Sequence, residues 1–272
     1  MGDLLNDTDW RLVRLDRLGL KEDPFKLAAD PRYLYLGPEH LAVYRQAQAV
    51  ISRRRGLALI SGDMGMGKSS LARRLYDVYA SEDSIDIAYL HTAAFKSPMD
   101  AARQISDALK IPAQRSLQRQ MESLERFMAD AYTAGHNVVV LLDDAQMMDT
   151  SALEVLHRLY NFDYDSKVVQ VLAFGQSEMS SVFEQNKSVN ARVFVRLALP
   201  PLTLSSALQM VVFRLRVAGR QEPLIDDDAF EVLYEKSQGV PREIIRICAV
   251  ALDTLLLSDE STINVEIVRK VK

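Results

Sequence analysis

One short segment of the chain, residues 62–69, reads G-D-M-G-M-G-K-S and matches the phosphate-binding pattern G-x-x-x-x-G-K-[ST]. Glycines at these positions allow backbone N–H groups to converge on the α- and β-phosphates of a nucleotide. Lys68 reaches the β- and γ-phosphates, and the hydroxyl of Ser69 binds Mg²⁺. The predicted nucleotide contacts of this loop are Gly62, Met64, Gly65, Met66, Gly67, Lys68, Ser69 and Ser70.

The elements around this segment support the interpretation. An apolar run at 57–60 predicts a strand before it, and a helical pattern at 70–79 follows it. The amino end of that helix directs its partial positive charge at the same anion. A chance match in a glycine loop is the alternative, and the strand–loop–helix context disfavours it. The sequence therefore predicts a site for ATP or GTP with Mg²⁺.

Two adjacent carboxylates follow a second apolar run. Residues 138–142 are all valine or leucine, and Asp143 and Asp144 come directly after them. This pattern is typical of the acidic element of a phosphate-loop NTPase, with Asp143 at the Mg²⁺ ion. Asp144 is then placed to accept a proton from the attacking water. Two aspartates that simply begin a turn are the alternative, which the upstream phosphate loop makes the weaker one.

The composition limits the classes of protein to which the chain can belong. Its 272 residues suffice for one nucleotide-binding domain and a smaller companion. The formal net charge of −4 requires any nucleic-acid site to be a local basic surface. The single cysteine, Cys248, excludes an internal disulfide and has apolar neighbours typical of a buried helix face. No apolar run has the length of a membrane helix, and the N-terminus lacks a signal peptide's apolar core, so we expect a cytoplasmic chain without a membrane partner.

Strand and helix patterns alternate along most of the chain. Strands are predicted at 57–61, 85–91, 137–142, 168–174 and 193–197, and helices at 68–80, 98–110, 117–134, 150–161 and 177–187. This alternation predicts an α/β fold with a doubly wound, parallel, five-stranded sheet. After Pro200, helical patterns at 204–218, 226–237, 241–257 and 264–271 predict a small C-terminal all-helical lid. We expect an N-terminal lead-in at 1–36, a nucleotide-binding domain at 37–200 and the lid at 201–272.

The ordered set of motifs resembles the AAA+ ATPases of the ExeA-like group, which also contains the TnsC and TniB regulators of transposition. The resemblance extends nearly from end to end. The segments that carry it are D-P-F at 23–25, Y-L-G at 35–37, His40, L-D-D-A-Q at 142–146, L-E at 153–154, Asn161, V-L-A-F-G-Q-S-E at 171–178, L-P-P-L at 199–202, R-L-R-V-A-G at 214–219 and G-V-P-R at 239–242. The phosphate loop alone indicates only an NTPase, whereas this ordered set implies the AAA+ fold.

The resemblance implies further site residues. Gln176 ends the strand that carries sensor 1 in AAA+ proteins and would contact the γ-phosphate or the attacking water. Arg192 occupies the place of the arginine finger, which acts on a neighbouring subunit's nucleotide, and Arg196 is the alternative. Arg242, after Pro241, matches sensor 2. An arginine on a solvated face is the alternative for each.

Three residues before the phosphate loop match family positions near the adenine. They are Phe25, Tyr35 and His40. The resemblance implies that they frame the base, and ordinary packing at a domain edge is the alternative.

The acidic element departs from the family pattern at one position. The chain has Asp144 where the family usually has glutamate. The carboxylate is one methylene shorter and falls short of an in-line water. Because a misplacement of about 1 Å can cost on the order of 100-fold in rate, we expect slow ATP hydrolysis.

Two uses are known within the group. A TnsC-like regulator forms an ATP-dependent ring or helical homo-oligomer, of about six or more subunits per turn, on duplex DNA and links a target selector to a transposase. A secretion-assembly or signalling ATPase of ExeA-like type acts on proteins without DNA. Because no membrane helix follows the lid, we expect the first use, and the second is the alternative.

Basic residues after the second strand are the predicted DNA contacts. They are Lys96, Arg103, Arg115 and Arg119, and they alternate with acidic residues. A solvated helix face is the alternative for each one. A second possible DNA site is the arginine run at 53–55, which would otherwise complement the dipole at a helix end.

Overall fold

A computed structural model describes residues 7–27, 30–160 and 167–272 of the chain. The strands are β1 (Leu57–Ser61), β2 (Ile85–Leu90), β3 (Asn137–Leu142), β4 (Val169–Gly175) and β5 (Val193–Ala198). The helices are α1 (Asp7–Arg17), α2 (Pro38–Ser52), α3 (Lys68–Tyr79), α4 (Pro98–Ala108), α5 (Leu117–Thr133), α6 (Thr150–Tyr160), α7 (Met179–Glu184), α8 (Lys187–Asn190), α9 (Leu204–Val217), α10 (Asp227–Ser237), α11 (Pro241–Leu256) and α12 (Val265–Lys270). Short 3₁₀ turns span Pro31–Tyr33 and Ala145–Met147.

The five strands form one parallel sheet in the order β2-β3-β4-β1-β5. The α/β fold and the parallel sheet predicted from the sequence are therefore confirmed. Strands β3 and β4 are buried along their whole length, which explains why their sequences are apolar runs without alternation. Because β4 separates β1 from β3, the carboxyl end of β4 lies between the ends of the two strands that precede the phosphate loop and the acidic pair.

A buried polar network joins the amino ends of the central strands. The backbone N–H of Gly56 donates to Oε1 of Gln170 at 2.7 Å, and Nε2 of Gln170 donates to Oδ1 of Asn137 at 3.1 Å. Nδ2 of Asn137 in turn donates to the carbonyl of Ile51 at 2.8 Å. Each of these amide groups therefore has a partner, which a buried amide requires.

The chain divides into two compact units, Ala42–Leu199 and a second unit made of Met1–Leu41 with Pro200–Lys272. The first is the α/β unit, and the second is called the helical unit below. Within the helical unit, Leu15, Leu20 and Phe25 share a hydrophobic core with the C-terminal helices. The lead-in thus groups with the residues predicted as the lid, because its few apolar side chains are buried among those helices.

Arg214 on α9 connects the lead-in to the rest of the helical unit. Its side chain is 6% exposed, and its guanidinium donates to the carbonyls of Pro24, Lys26 and Tyr33 at 2.7, 3.1 and 3.3 Å. The guanidinium also lies 4.8 Å from the centre of the Tyr33 ring. Burial lowers the pKa of Arg214. This buried cation serves the structure by satisfying three backbone acceptors.

Two details differ from the sequence-based prediction. The predicted helix at 177–187 is wrong as a single element, because two short helices, α7 and α8, occupy the region. They are separated at Asn186, whose side chain accepts from the backbone N–H of Val189 and so begins a new helix. Helix α1 lies in the lead-in, for which no helix was predicted. Asn161, one of the residues that carry the family resemblance, lies outside the described residues, as do residues 1–6.

Across the described ranges, no helix combines the length and apolar composition that crossing a bilayer requires.

Candidate nucleotide site

The phosphate loop connects β1 to α3 at the carboxyl edge of the sheet. Gly65 and Gly67 have φ angles of 85° and 90°, in the left-handed region that glycine adopts without strain. Gly67 is the N-cap residue of α3, directly before its first residue, Lys68. The loop therefore has the strand–loop–helix context predicted from the sequence, and its glycines allow the chain to turn directly into a helix amino end that favours anions.

Lys68 is a buried cation within this loop. Its side chain is 8% exposed, and its ammonium donates to the carbonyls of Gly62 and Asp63 at 2.7 and 2.9 Å. Burial lowers the pKa of Lys68, and the nearby Asp143 and Asp144 carboxylates oppose that shift. The ammonium thus lies among the groups that would surround a nucleotide's terminal phosphates.

Asp143 follows β3 and is 3% exposed. Its carboxylate accepts from the backbone N–H of Asp144 at 3.0 Å and from the phenol of Tyr89 at 3.2 Å. Burial raises the pKa of Asp143, and the nearby Ser69 side chain partly offsets this. A hydroxyl and a carboxylate are the hard oxygen donors that Mg²⁺ prefers, so the residues present fit the metal.

Asp144 has an exposed side chain and an unusual backbone conformation. Its φ and ψ are 50° and 40°, in the left-handed region where non-glycine residues are strained. One carboxylate oxygen accepts from Nε2 of Gln146 at 3.2 Å. The carboxylate is therefore accessible at the sheet edge, and a neighbouring amide limits its rotation.

Gln176 comes directly after β4, on the same edge. Its backbone N–H donates to Oε1 of Gln146 at 3.0 Å. Since the end of β4 lies between the ends of β1 and β3, the structure brings Gln176 to the edge that also carries Lys68 and the two aspartates. Its contact with a γ-phosphate stays a prediction.

The three predicted arginines have different surroundings. In the α/β unit, Arg192 is half-buried and its guanidinium donates to the carbonyl of His157 at 3.4 Å. Arg196 is exposed on the edge strand β5 and donates to Asn190. In the helical unit, Arg242 is exposed in the first turn of α11, after Pro241. The roles assigned to Arg192, Arg196, Arg242 and Pro241 stay predictions.

The three residues predicted near the adenine all have partners within the helical unit. Phe25 is buried in its hydrophobic core. The phenol of Tyr35 donates to Gln209 at 2.8 Å, and Nε2 of His40 lies 2.9 Å from the carbonyl of Pro200. Packing accounts for each position, and contact with the base stays a prediction.

The basic residues predicted to contact DNA are exposed. Arg103 donates to the carbonyl of Gln114 at 3.0 Å, which connects α4 to the segment before α5. In the alternative run at 53–55, Arg54 donates to the carbonyls of Gly135 and His136 and so has a structural role. The exposed side chains of the first group are Lys96, Arg103, Arg115 and Arg119.

Two residues at the site were not among the predicted site residues. Tyr89 lies on β2, and its contact with Asp143 joins residues far apart in sequence. No local sequence pattern could therefore predict this contact. Gln146 is part of the L-D-D-A-Q segment that carries the family resemblance, and that was the available signal. Its two hydrogen bonds, to Asp144 and to Gln176, are visible only in the folded chain.

Comparison with known proteins agrees with this geometry. Residues 51–183 match the family described as AAA domain. General secretion pathway protein A of Aeromonas hydrophila is 30% identical over 239 residues, which cover 86% of this chain and 43% of that protein. The chain therefore spans less than half the length of this relative.

Two solved structures have a similar fold. The ORC2 protein of Aeropyrum pernix, in ADPNP–ADP complexes, matches with a TM-score of 0.64 and 18% identity over 91% of this chain and 69% of that one. Cdc6p of Pyrobaculum aerophilum matches with a TM-score of 0.66 and 16% identity, over 88% and 67%. These structures show a shared fold. The match to the AAA domain and the identity to General secretion pathway protein A, together with the phosphate loop and the acidic pair on one edge of a parallel sheet, support an AAA+ ATPase of ExeA-like type.

Proposed function

We propose that the chain binds ATP with Mg²⁺ at the carboxyl edge of the sheet and hydrolyses it slowly. One observation carries the proposal: Lys68, Ser69 and Asp143 lie together, with Asp144 next to them and open to solvent. A buried lysine, a hydroxyl and a carboxylate beside a helix amino end form a site for a metal-bound triphosphate.

Each residue has a distinct role in this reaction. The loop amides and Lys68 bind the phosphates. Ser69 and Asp143 would hold Mg²⁺, which would supply positive charge to neutralise the phosphates. Asp144 accepts the proton of the attacking water, and Gln176 orients that water or the γ-phosphate. The short side chain of Asp144 supports the slow rate.

A direct assay tests this proposal. Phosphate release from ATP by the purified chain is measured with Mg²⁺ and with a chelator, and nucleotide binding is measured by calorimetric titration. We expect Mg²⁺-dependent turnover that is slow at saturating ATP. A chain that neither binds nor hydrolyses ATP would overturn the proposal.

We also propose that copies of the chain assemble when ATP is bound, with Arg192 acting on a neighbour's nucleotide. The place of Arg192 in the family pattern supports this proposal. Arg192→Ala should then bind ATP normally but lose assembly or turnover, because charge that develops on the γ-phosphate is left unpaired. The matched variant Arg196→Ala tests the alternative finger. Normal assembly and turnover in Arg192→Ala would exclude the role in trans.

We propose two candidate targets for the ATP-bound chain. The first is a protein assembly of the secretion type. The 30% identity to General secretion pathway protein A over most of this chain supports it. On this proposal the ATP state exposes or orders a surface for a protein partner, and DNA has no effect on turnover.

Duplex DNA is the second candidate target, in the manner of a TnsC-like regulator of transposition with a transposase and a target selector as partners. The exposed basic side chains of Lys96, Arg115 and Arg119 favour it. Contacts of this kind are sequence-tolerant and weaken steeply with salt. Changing Lys96 and Arg115 to alanine should reduce DNA affinity and leave ATP binding intact.

Electron microscopy distinguishes the two targets. The purified chain is imaged with duplex DNA and either a slowly hydrolysed ATP analogue or ADP. Rings or filaments that contain DNA and need the analogue would support the DNA-directed function. Assembly that is indifferent to DNA would support the protein-directed function.

A further inference from the structure

The side chain of Gln146 lies at the carboxyl edge of the sheet, where it contacts two of the predicted catalytic residues, Asp144 and Gln176. It belongs to the 3₁₀ turn that follows Asp144 and is half-buried, whereas the neighbouring Met147 is 60% exposed. The turn therefore directs this amide inward, between the end of β4 and the acidic pair.

The orientation of the Gln146 amide is fixed by its partners. A backbone N–H can only donate, so the atom 3.0 Å from the N–H of Gln176 is the amide oxygen. The amide NH₂ must then face the other side, where it donates to Oδ1 of Asp144 at 3.2 Å. One rigid amide thus connects the backbone of Gln176 to the carboxylate of Asp144.

The packing around Gly175 confirms that the amide fills a defined space. A Cβ atom at Gly175 would lie 2.9 Å from Oε1 of Gln146 and 2.9 Å from Sδ of Met179. Contacts this short do not occur for real Cβ atoms, so the amide occupies space that only glycine leaves at the end of β4. Alternative positions of the Gln146 side chain are limited by the same packing.

From this geometry, which rests on the proposed ATP hydrolysis, we propose that Gln146 is a positioning residue for Asp144. Asp144 is short, exposed and held in a left-handed conformation, so its carboxylate needs an external restraint to face one direction. Gln146 supplies that restraint. Its amide fixes the Asp144 carboxylate, which receives the water's proton, relative to the backbone of Gln176 at the end of β4. A loss of about 1 Å in that position costs on the order of 100-fold in rate.

Two substitutions at Gln146 separate positioning from packing. Gln146→Ala removes both hydrogen bonds. Gln146→Glu keeps an acceptor for the Gln176 N–H but places a second carboxylate beside Asp144. We expect both variants to lower kcat by about 10- to 100-fold and to leave KM for ATP within about twofold of wild type. Full activity in Gln146→Glu would show that only the contact with Gln176 matters and would overturn the proposal.

A matched control exists on α5. Nε2 of Gln118 donates to the carboxylate of Glu122 at 3.0 Å on an exposed surface, which is the same chemistry in a different place. Gln118→Ala and Gln118→Glu should leave kcat, KM and the melting temperature unchanged. A fall in kcat of the same size in these controls would show that the effect is not specific to Gln146.

A double-mutant cycle with Asp144 completes the test. In an Asp144→Ala background, Gln146→Ala should cause no further fall in kcat, because there is no carboxylate left to position. An equal fall in both backgrounds, or wild-type kcat in Gln146→Ala, would overturn this inference and leave the proposed hydrolysis intact. Absence of turnover in the wild-type chain would overturn the proposed hydrolysis and the inference together.

Discussion

Each of the two units contains a buried cation, Lys68 in the α/β unit and Arg214 in the helical unit, and burial lowers the pKa of both. Their partners differ. Arg214 donates to three backbone carbonyls that come from the distant lead-in. Lys68 donates to two carbonyls of its own loop and lies near two carboxylates.

Burial of a charge therefore has an energetic cost in both units, but it does not by itself show whether the group serves the fold or a ligand. A guanidinium whose donors join separated parts of the chain stabilises the fold. An ammonium that contacts only its own loop, beside a helix amino end and a buried carboxylate, adds little to tertiary structure. A ligand that brings negative charge would explain its position, and in the proposed function that ligand is the nucleotide.

Lys68→Ala should produce the largest effect. Turnover should fall by about 1,000-fold, because the group that stabilises charge on the terminal phosphates is removed. The melting temperature of the nucleotide-free chain should not fall, because the substitution removes a charge whose burial is itself unfavourable. Phosphate release and thermal melting measure the two quantities, with the exposed Arg73→Ala on the same helix as the control. A large loss of stability would show that Lys68, like Arg214, serves the fold.

Arg214→Met should give the opposite result. Three buried carbonyls would lose their donor, so we expect a loss of about 3 kcal/mol in the free energy of unfolding. Nucleotide binding by the folded fraction should be unchanged. Urea unfolding measures the first quantity, and Arg216→Met, which changes an exposed arginine on the same helix, is the control. Equal stability of the two variants would contradict a structural role for Arg214.

Asp144→Glu should change turnover and stability in opposite directions. The longer side chain should raise turnover by up to about 100-fold, because the carboxylate can reach an in-line water. The left-handed backbone opposes a longer side chain and should cost about 1 kcal/mol of stability. Steady-state kinetics and thermal melting report both effects. Unchanged turnover would show that side-chain length does not limit the rate.

Asp143→Asn should have the smallest effect on stability, and its sign is opposite to that of Arg214→Met. Burial raises the pKa of Asp143 above its value in the unfolded chain, so the folded state is favoured at low pH and loses this contribution as pH rises. The neutral amide should therefore raise the melting temperature near pH 7, and the gain should shrink as pH falls toward 4. The exposed variant Asp107→Asn is the control. A lower melting temperature at neutral pH would show that the charge is stabilising.

Local patterns in the sequence predicted much of the fold. The five strands, and the candidate site at the phosphate loop and the acidic pair, could be predicted because each is a short segment with its own signature. The helix break at Asn186 was missed, since a capping residue inside a polar stretch resembles an ordinary helix position. The association of the lead-in with the C-terminal helices was also missed, because an apolar pattern does not say which partner it packs against.

The two site residues that the sequence did not predict, Tyr89 and Gln146, depend on contacts between distant segments. Tyr89 reaches Asp143 only because β2 and β3 are neighbours, and Gln146 reaches Gln176 only because β4 ends beside the acidic pair. Such pairings depend on strand order, which alternation alone does not fix.

The amide network of Gly56, Asn137 and Gln170 has a consequence for how the chain folds. Apart from Asn137 and Gln170, strands β3 and β4 are apolar on both faces, so a shift of one strand by a residue would bury a similar hydrophobic area. Such a shift would separate Gln170 from Asn137 and Gly56. The buried amides would then lack hydrogen-bond partners, at a cost of about 1–3 kcal/mol for each. In this protein a few polar atoms select the correct register of two hydrophobic strands. A shifted register would displace the acidic pair at the opposite end of β3.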